Sequence, residues 1–295
     1  MDCIFEIGGR RLLIAGAPWT PATVPANFRP FLRPDAGDAD ARLTVEYTAA
    51  APRVPATPPL SESVNDLGRA AIHADADGWT IVLTPQPGEQ PRLMTMDRAL
   101  RSATVSLRGA DPFADFVIDS MARIFFSQHI AAAGDFIVHA SAVGLGGKAY
   151  LFMGRSGTGK STHSRLWLDT FAGAELINDD CPMIRRTAAG YAVCGTPWSG
   201  KTPCWRSVSL PLGGLVRLRQ APANAFRPLG GVEAFVAFIP GMSVMTADRA
   251  LYSAAAAAAL DLTGAVPVGV LECLPDTAAA RLCHASLTGK LPPNI

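Results

Sequence analysis

Gly154-Arg155-Ser156-Gly157-Thr158-Gly159-Lys160-Ser161 is the stretch that decides the reading of this chain. It fits the pattern G-x-x-x-x-G-K-[ST] of a phosphate-binding loop. Ahead of it runs an apolar, strand-like segment, Ala149-Tyr150-Leu151-Phe152-Met153; behind it, residues 162–168 continue as a helix. Glycines let successive backbone N–H groups turn inward around a polyphosphate, and the helix that starts there adds the positive end of its dipole. The four fixed positions arise by accident in roughly 1% of chains of this length, and the strand-before, helix-after setting lowers that further. In this pattern the backbone of Gly154, Arg155, Ser156, Gly157, Thr158 and Gly159 cradles the phosphates with Lys160, Ser161 and Thr162, and the Ser161 hydroxyl ligates Mg²⁺.

A second constellation lies about twenty residues on. Ala174-Glu175-Leu176-Ile177 reads as an apolar approach that delivers Asn178-Asp179-Asp180. Adjacent carboxylates at a strand end suit metal-assisted phosphoryl transfer: one orients the cation, the other takes the proton of an attacking hydroxyl. Asn and Asp also favour solvated turns, which is the bland alternative.

The residues around the loop predict a strand at 136–143, a turn at Gly144-Leu145-Gly146-Gly147, and a return strand at 148–153, so a short hairpin feeds the loop. Tyr191 to Cys194 and Leu215 to Leu218 read as strands, the alanine run at 254–259 as a helix, Val266 to Leu271 as a strand, and Asp276 to Leu287 as a closing helix. Gly195-Thr196-Pro197-Trp198-Ser199-Gly200-Lys201 is a candidate acceptor-side loop. There Lys201 or Arg206 would steady charge on a transferring phosphoryl group, an ordinary surface loop being the alternative.

Residues 1–108 alternate apolar and polar positions between turn signals and predict a small, mostly β N-terminal domain; residues 109–295 form the second domain. Cys3–Ile7 and Arg11–Ile14 flank Gly8-Gly9, and Ala70–Ala74 and Trp79–Leu83 flank a second turn, both as hairpins. Leu43–Tyr47 and Ala103–Leu107 are further strands, and Pro52, Pro55, Pro58 and Pro59 mark a loop. His73 reads as a structural histidine in a strand. Residues 111–133 carry helical spacing with Phe113, Phe116, Val117, Met121, Ile124 and Phe125 on one face, and Asp111-Pro112 as cap and first position; this helix is expected to open the second domain.

Composition excludes several classes. The 295 residues carry 26 basic and 25 acidic side chains, a net charge of +1, without the basic clustering of a nucleic-acid binder. The longest uncharged apolar run, Ser253 to Leu260, is too short to span a bilayer, and the first residues show no secretory signal, so a cytoplasmic protein is expected. The six cysteines show no C-x-x-C pairing and read as free thiols rather than zinc ligands.

His139-Ala140-Ser141, the loop 154–161 and Asp179-Asp180, taken in that order, resemble the catalytic domain of HPr kinase/phosphorylase, and more distantly the loop of ATP-dependent phosphoenolpyruvate carboxykinase. The likeness covers residues 134 to about 200. It implies an α/β fold with a mixed sheet, ATP and Mg²⁺ as cofactors, Asp179 as general base, Asp180 as a metal-associated carboxylate, and His139 beside the reacting phosphate. Asp180 is followed here by Cys181 where that family has arginine. The layout is similar to HPr-kinase-like proteins of ribosomal peptide clusters, lasso peptides included, which implies a peptide or protein hydroxyl, serine first, as acceptor. An ATP-driven switch and a small-metabolite kinase are the rival readings, and the oligomeric state, a homo-oligomer included, stays open.

Overall fold

In the computed structural model, residues 2–34, 37–50, 53–65 and 68–289 are described. Contacts divide the chain into two compact units, Met1–Ala133 with Met245–Arg249, and Gly134–Val244 with Ala250–Ile295. Both combine a sheet with helices, and both sheets are mixed.

The first unit is a sheet of β1 (Cys3–Ile7), β2 (Arg10–Ala15), β3 (Leu32–Arg33), β4 (Ala41–Thr48), β5 (Ser61–Asn65), β6 (Gly68–Ala74), β7 (Gly78–Thr84), β8 (Arg92–Asp97) and β9 (Ser102–Arg108), in the order β3-β1-β2-β4-β9-β8-β7-β6-β5. Gly8 and Gly9 both have positive φ (58° and 74°), so the two residues that join β1 to β2 adopt a turn matched to the strand twist. Helix α1 (Ala114–Ala131) packs on β4, β8 and β9. Its buried stripe is Val117, Ile118, Met121, Ala122, Phe125 and Phe126, while Phe116 stays 37% exposed. The stripe is therefore turned from the face read in the sequence, and it draws the helix into the first unit, so the division falls after residue 133 and not after 108. Asp111-Pro112 does not cap the helix either. The Asp111 carboxylate accepts from Phe113 N (2.9 Å) and clasps Arg92 through Nε and Nη2 (both 2.9 Å). His73 lies buried on β6. Of the proline-rich loop, Ala51 and Pro52 lie outside the described residues.

In the second unit, β10 (Phe136–Ile137), β11 (Ala140–Leu145), β12 (Lys148–Met153), β13 (Glu175–Asp180), β14 (Met183–Thr187), β15 (Gly190–Cys194) and β16 (Ser209–Gln220) line up as β10-β14-β15-β16-β12-β11-β13. β18 (Val268–Cys273) runs parallel to β16 and carries β17 (Ala225–Leu229) on its far side. The hairpin expected from the sequence is present, β11 antiparallel to β12, while the other neighbour of β12, β16, is parallel.

From Ala149 on, β12 is buried on both faces, which is why it reads as an unbroken apolar run. Leu151 and Met153 point into a core shared with Phe238 of α3 (Gly231–Phe238) and with Ala255, Ala259 and Leu262 of α4 (Arg249–Ala265). Tyr150 and Phe152 point to the opposite core, with Trp167 of α2 (Lys160–Thr170) and Ala280, Cys283 and Leu287 of α5 (Thr277–Thr288). The sheet is thus sandwiched between helix layers. Asp276 caps α5 by accepting from Ala279 N (2.8 Å). No helix among the described residues is long and apolar enough to cross a membrane. The six cysteines are free thiols, all but Cys273 buried.

Candidate active site

The glycine-rich loop leaves β12 at Gly154 and closes on α2 at Gly159. Gly157 (φ 79°) and Gly159 (φ 105°) hold left-handed conformations that a side chain would strain. Gly159 also occupies the N-cap, where it offers no side-chain oxygen, so the opening N–H groups of α2 are left for a ligand. The helix itself is nailed down from beneath. Trp167 is fully buried, its ring 5.1 Å from Phe152 and 5.0 Å from Tyr150. Its Nε1 donates to His163 Nε2 (3.1 Å), and Ser164 Oγ meets Ser141 Oγ of β11 at 2.5 Å.

Strand register assembles the rest. Ala140 pairs with Met153 on one side and with Asp180 on the other. That places His139, one residue earlier, between the start of the loop and the acidic pair. Lys160 Nζ donates to Gly154 O (3.2 Å) and to His139 Nε2 (2.9 Å), and His139 Nδ1 lies 2.8 Å from Asp180 Oδ1. Burial pushes the pKa of Lys160 below its ordinary value, while the charges of Asp180 and Asp179 pull it back up. Lys160 and both aspartates therefore share one electrostatic site. The Asp179 side chain is 5% exposed, and neither of its carboxylate oxygens has a hydrogen-bond partner. Such an orphaned carboxylate inside a folded chain is unusual, which makes Asp179 a candidate functional residue.

Asn178, fully buried, clamps this corner. Its Oδ1 accepts from Asp180 N (3.0 Å) and Cys181 N (2.8 Å), and its Nδ2 donates to Trp198 O (2.9 Å) and to Thr196 Oγ1 (3.3 Å). Thr196 Oγ1 in turn donates to Cys181 O (2.8 Å), and Gly200 N donates to Asp179 O (3.1 Å). A Cβ at Gly200 would sit 2.6 Å from that oxygen, so only glycine permits the approach. Loop 195–200 is thereby stitched against the end of β13.

The sequence expectations divide as follows. Gly154, Lys160, His139, Asp179 and Asp180 are brought together. Arg155, Ser156, Gly157 and Thr158 form the loop crown, braced by Thr158 Oγ1 on Arg155 O (2.7 Å); Ser161 and Thr162 are exposed on the first turn of α2. Lys201 is exposed next to Gly200. Arg206 is elsewhere: Nη2 binds Glu175 Oε2 (2.6 Å) and Nη1 binds Leu176 O (2.9 Å), at the opposite end of β13. A strand rises about 3.3 Å per residue, so Leu176 stands about 10 Å from Asp179, and Arg206 is a brace rather than an acceptor-side cation. Asn178, Thr196 and Gly200 fall within stretches that the sequence marks, but nothing in the sequence gives them the clamping roles they have here. The signal for Asn178 was an amide next to two acids at the end of an apolar strand.

Among the described residues, no group of three or more His, Cys, Asp or Glu side chains gathers to hold a metal ion alone. The donor set instead suits Mg²⁺, which takes one or two carboxylates and completes its shell with phosphate and water oxygens. The partly exposed carboxylate of Asp180 and the exposed hydroxyl of Ser161 are of the donor type that such a site would use.

Fold and site define a mixed α/β protein in which a glycine-rich strand-to-helix loop faces a buried carboxylate. No family profile matches the chain, and no curated protein matches it. Among solved structures it is similar to the HPr(Ser) kinase/phosphatase from Coxiella burnetii at 11% identity, over 52% of this chain and 88% of that one, with a TM-score of 0.32.

Proposed function

We propose that the second unit is a kinase that moves the γ-phosphoryl group of ATP to a hydroxyl of a peptide or protein, with serine as the first candidate. The observation that carries this reading is the buried, unpartnered carboxylate of Asp179 in one electrostatic site with Lys160 of the glycine-rich loop. Loop amides and the opening N–H groups of α2 hold the phosphates. Lys160, already steered by Gly154 O and His139, neutralises charge on the transferring group. Asp179 accepts the proton of the acceptor hydroxyl, and Asp180 and Ser161 would hold Mg²⁺, which would supply positive charge to offset the charge that develops on the phosphates. Lys201 belongs to the acceptor side.

The sequence likeness to kinases of ribosomal peptide clusters supports a short peptide, lasso-type included, as acceptor in the cytoplasm. Mass spectrometry of serine-bearing candidate peptides incubated with protein, ATP and Mg²⁺ tests the proposal. A gain of one phosphate on a peptide is the expected result. ADP release with every acceptor unmodified overturns it in favour of a hydrolytic switch.

A further inference from the structure

We infer that the cleft between the glycine-rich loop and the end of β16 is a nucleoside subsite, so that the nucleotide lies across the loop with its reacting end toward Asp179 and its base over β16. This rests on the kinase reading above and adds a direction to it.

Strand order supplies the first argument. β12, which carries the loop, has β11 and then β13 on one side and β16 on the other. His139, Asp179 and Asp180 all belong to the β11–β13 side. A linear triphosphate gripped at its middle has two ends, and the end that reacts must face Asp179. The other end leaves over β16.

There the structure holds a cleft of about 560 Å³, lined by Arg155, Gly157 and Thr158 of the loop and by Arg217, Arg219 and Gln220 of β16. That volume lies within the range of small-molecule sites. Open α/β sheets place such sites beyond the carboxyl ends of their strands; β12 and β16 run parallel, and β16 continues past the end of β12 at Met153, opposite Arg217, to Gln220 beside the loop. The wall is already formed: Gln220 Nε2 donates to Gly157 O (3.3 Å), which ties the loop crown to the strand.

The chemistry is the second argument. Arg217 and Arg219, two residues apart, emerge on the same face of β16. Arg217 is anchored by Nη1 on Ala237 O (3.0 Å), and Arg219 has a long, exposed contact to Glu272 (4.0 Å). The Arg155 side chain is exposed and has no ionic partner among the described residues. No carboxylate lines the cleft. Planar guanidinium groups stack on a heteroaromatic ring and donate to ribose hydroxyls and to the α-phosphate, so this lining suits a nucleoside and its first phosphate.

Calorimetry of MgATP and of magnesium tripolyphosphate on the full chain separates the two ideas. Wild-type protein is expected to bind both, ATP the tighter. Arg219→Ala, at a well-exposed site that the fold tolerates, is expected to weaken ATP about tenfold while tripolyphosphate stays within about twofold. Equal losses for both ligands, or none for ATP, overturn the subsite. Failure of wild-type protein to bind either ligand overturns the kinase reading itself. Photolabelling with 2-azido-ATP gives a readout free of mutation: label in peptides spanning 155–158 or 217–220 supports the subsite, and label confined to 195–201 reverses the nucleotide and overturns it.

Discussion

His139 Nδ1 lies 2.8 Å from Asp180 Oδ1, and the other nitrogen of the same ring, Nε2, receives Lys160 Nζ at 2.9 Å. An ammonium group has only donors to offer, so His139 Nε2 accepts and the ring proton sits on Nδ1, donating to Asp180. The imidazole holds the lysine and the aspartate apart, where contact would let them collapse into a direct ion pair. In His139→Ala the ammonium is free to swing from the loop to Asp180. Phosphate transfer is expected to fall by about 10- to 100-fold, the usual effect of removing a group that orients its neighbours at a metal site. His139→Gln, which keeps a donor and an acceptor, should recover part of the loss. Steady-state rates together with ATP affinity check this; wild-type turnover in His139→Ala would refute the role.

Asp179 presents a conflict between stability and function. A buried polar group without a partner costs about 1–3 kcal/mol. Asp179→Ala removes that cost and leaves a small void, so thermal unfolding is expected to rise by about 2–4 °C. Transfer should drop by about 10²- to 10⁴-fold, the usual worth of a positioned general base. A variant that is both destabilised and active would contradict the assignment on both counts.

Much of this site was legible because its residues are consecutive. The loop's glycines, the apolar run of β12 and the triplet Asn178-Asp179-Asp180 each announce themselves in a short window. The elements that went unread lack such windows. β5 (Ser61–Asn65) is mostly polar and pairs only with β6 at a sheet edge, so no alternation marks it. β14 reads Met-Ile-Arg-Arg-Thr, apolar only in its first half. β17 contains Pro228, which an edge strand tolerates and a sequence reading takes as a break. The stripe of α1 differs from the spacing in the sequence because Phe113 stands ahead of the helix under the Arg92 guanidinium and Phe116 faces outward, so apolar character alone does not mark the buried face. Arg206 stands close in sequence to loop 195–201, but that proximity says nothing of Glu175, which claims its guanidinium thirty-one positions away.

Arg206 and Lys201 consequently part company. Arg206→Ala removes a partly exposed ion pair worth about 0.2–1 kcal/mol and is expected to leave transfer near the wild-type rate. Lys201→Ala, beside the Gly200 contact to Asp179, should raise the apparent KM for the acceptor with ATP affinity unchanged. Acceptor titrations on the two variants check this, and an Arg206→Ala enzyme that loses transfer while remaining folded would put that arginine back at the site.

Asn178 ties five polar groups to one amide, the Thr196 carbonyl 3.4 Å from Nδ2 being the fifth, so its loss is expected to be felt in the fold as much as in the chemistry. Asn178→Asp keeps the size but turns a carboxylate oxygen toward the Trp198 carbonyl, where Nδ2 now donates. Destabilisation of about 2–4 kcal/mol is expected, from lost hydrogen bonds and a repulsive contact in a dry interior. Urea unfolding measures it, and a midpoint equal to wild type would show that loop 195–200 does not depend on the clamp.

His163 gives the site a defined response to acid. It lies in the first turn of α2, 2% exposed, with Nδ1 unpartnered and Nε2 accepting from Trp167, and burial pushes its pKa down to about 4. In the unfolded chain the ring titrates near 6.5. Between those values the unfolded chain binds the proton and the native state refuses it, so stability is full above about 6.5 and falls as the pH drops toward 4. The loss is at most about 3 kcal/mol. Because His163 N also donates to Gly159 O (2.8 Å), the strain lands on the turn that starts the helix behind the loop. His163→Gln, which can still accept from Trp167, should flatten this part of the pH profile: the gap in unfolding free energy between variant and wild type is expected to shift in the variant's favour from pH 6.5 to pH 4. A gap that stays constant across that range would mean that another group governs the acid sensitivity of α2.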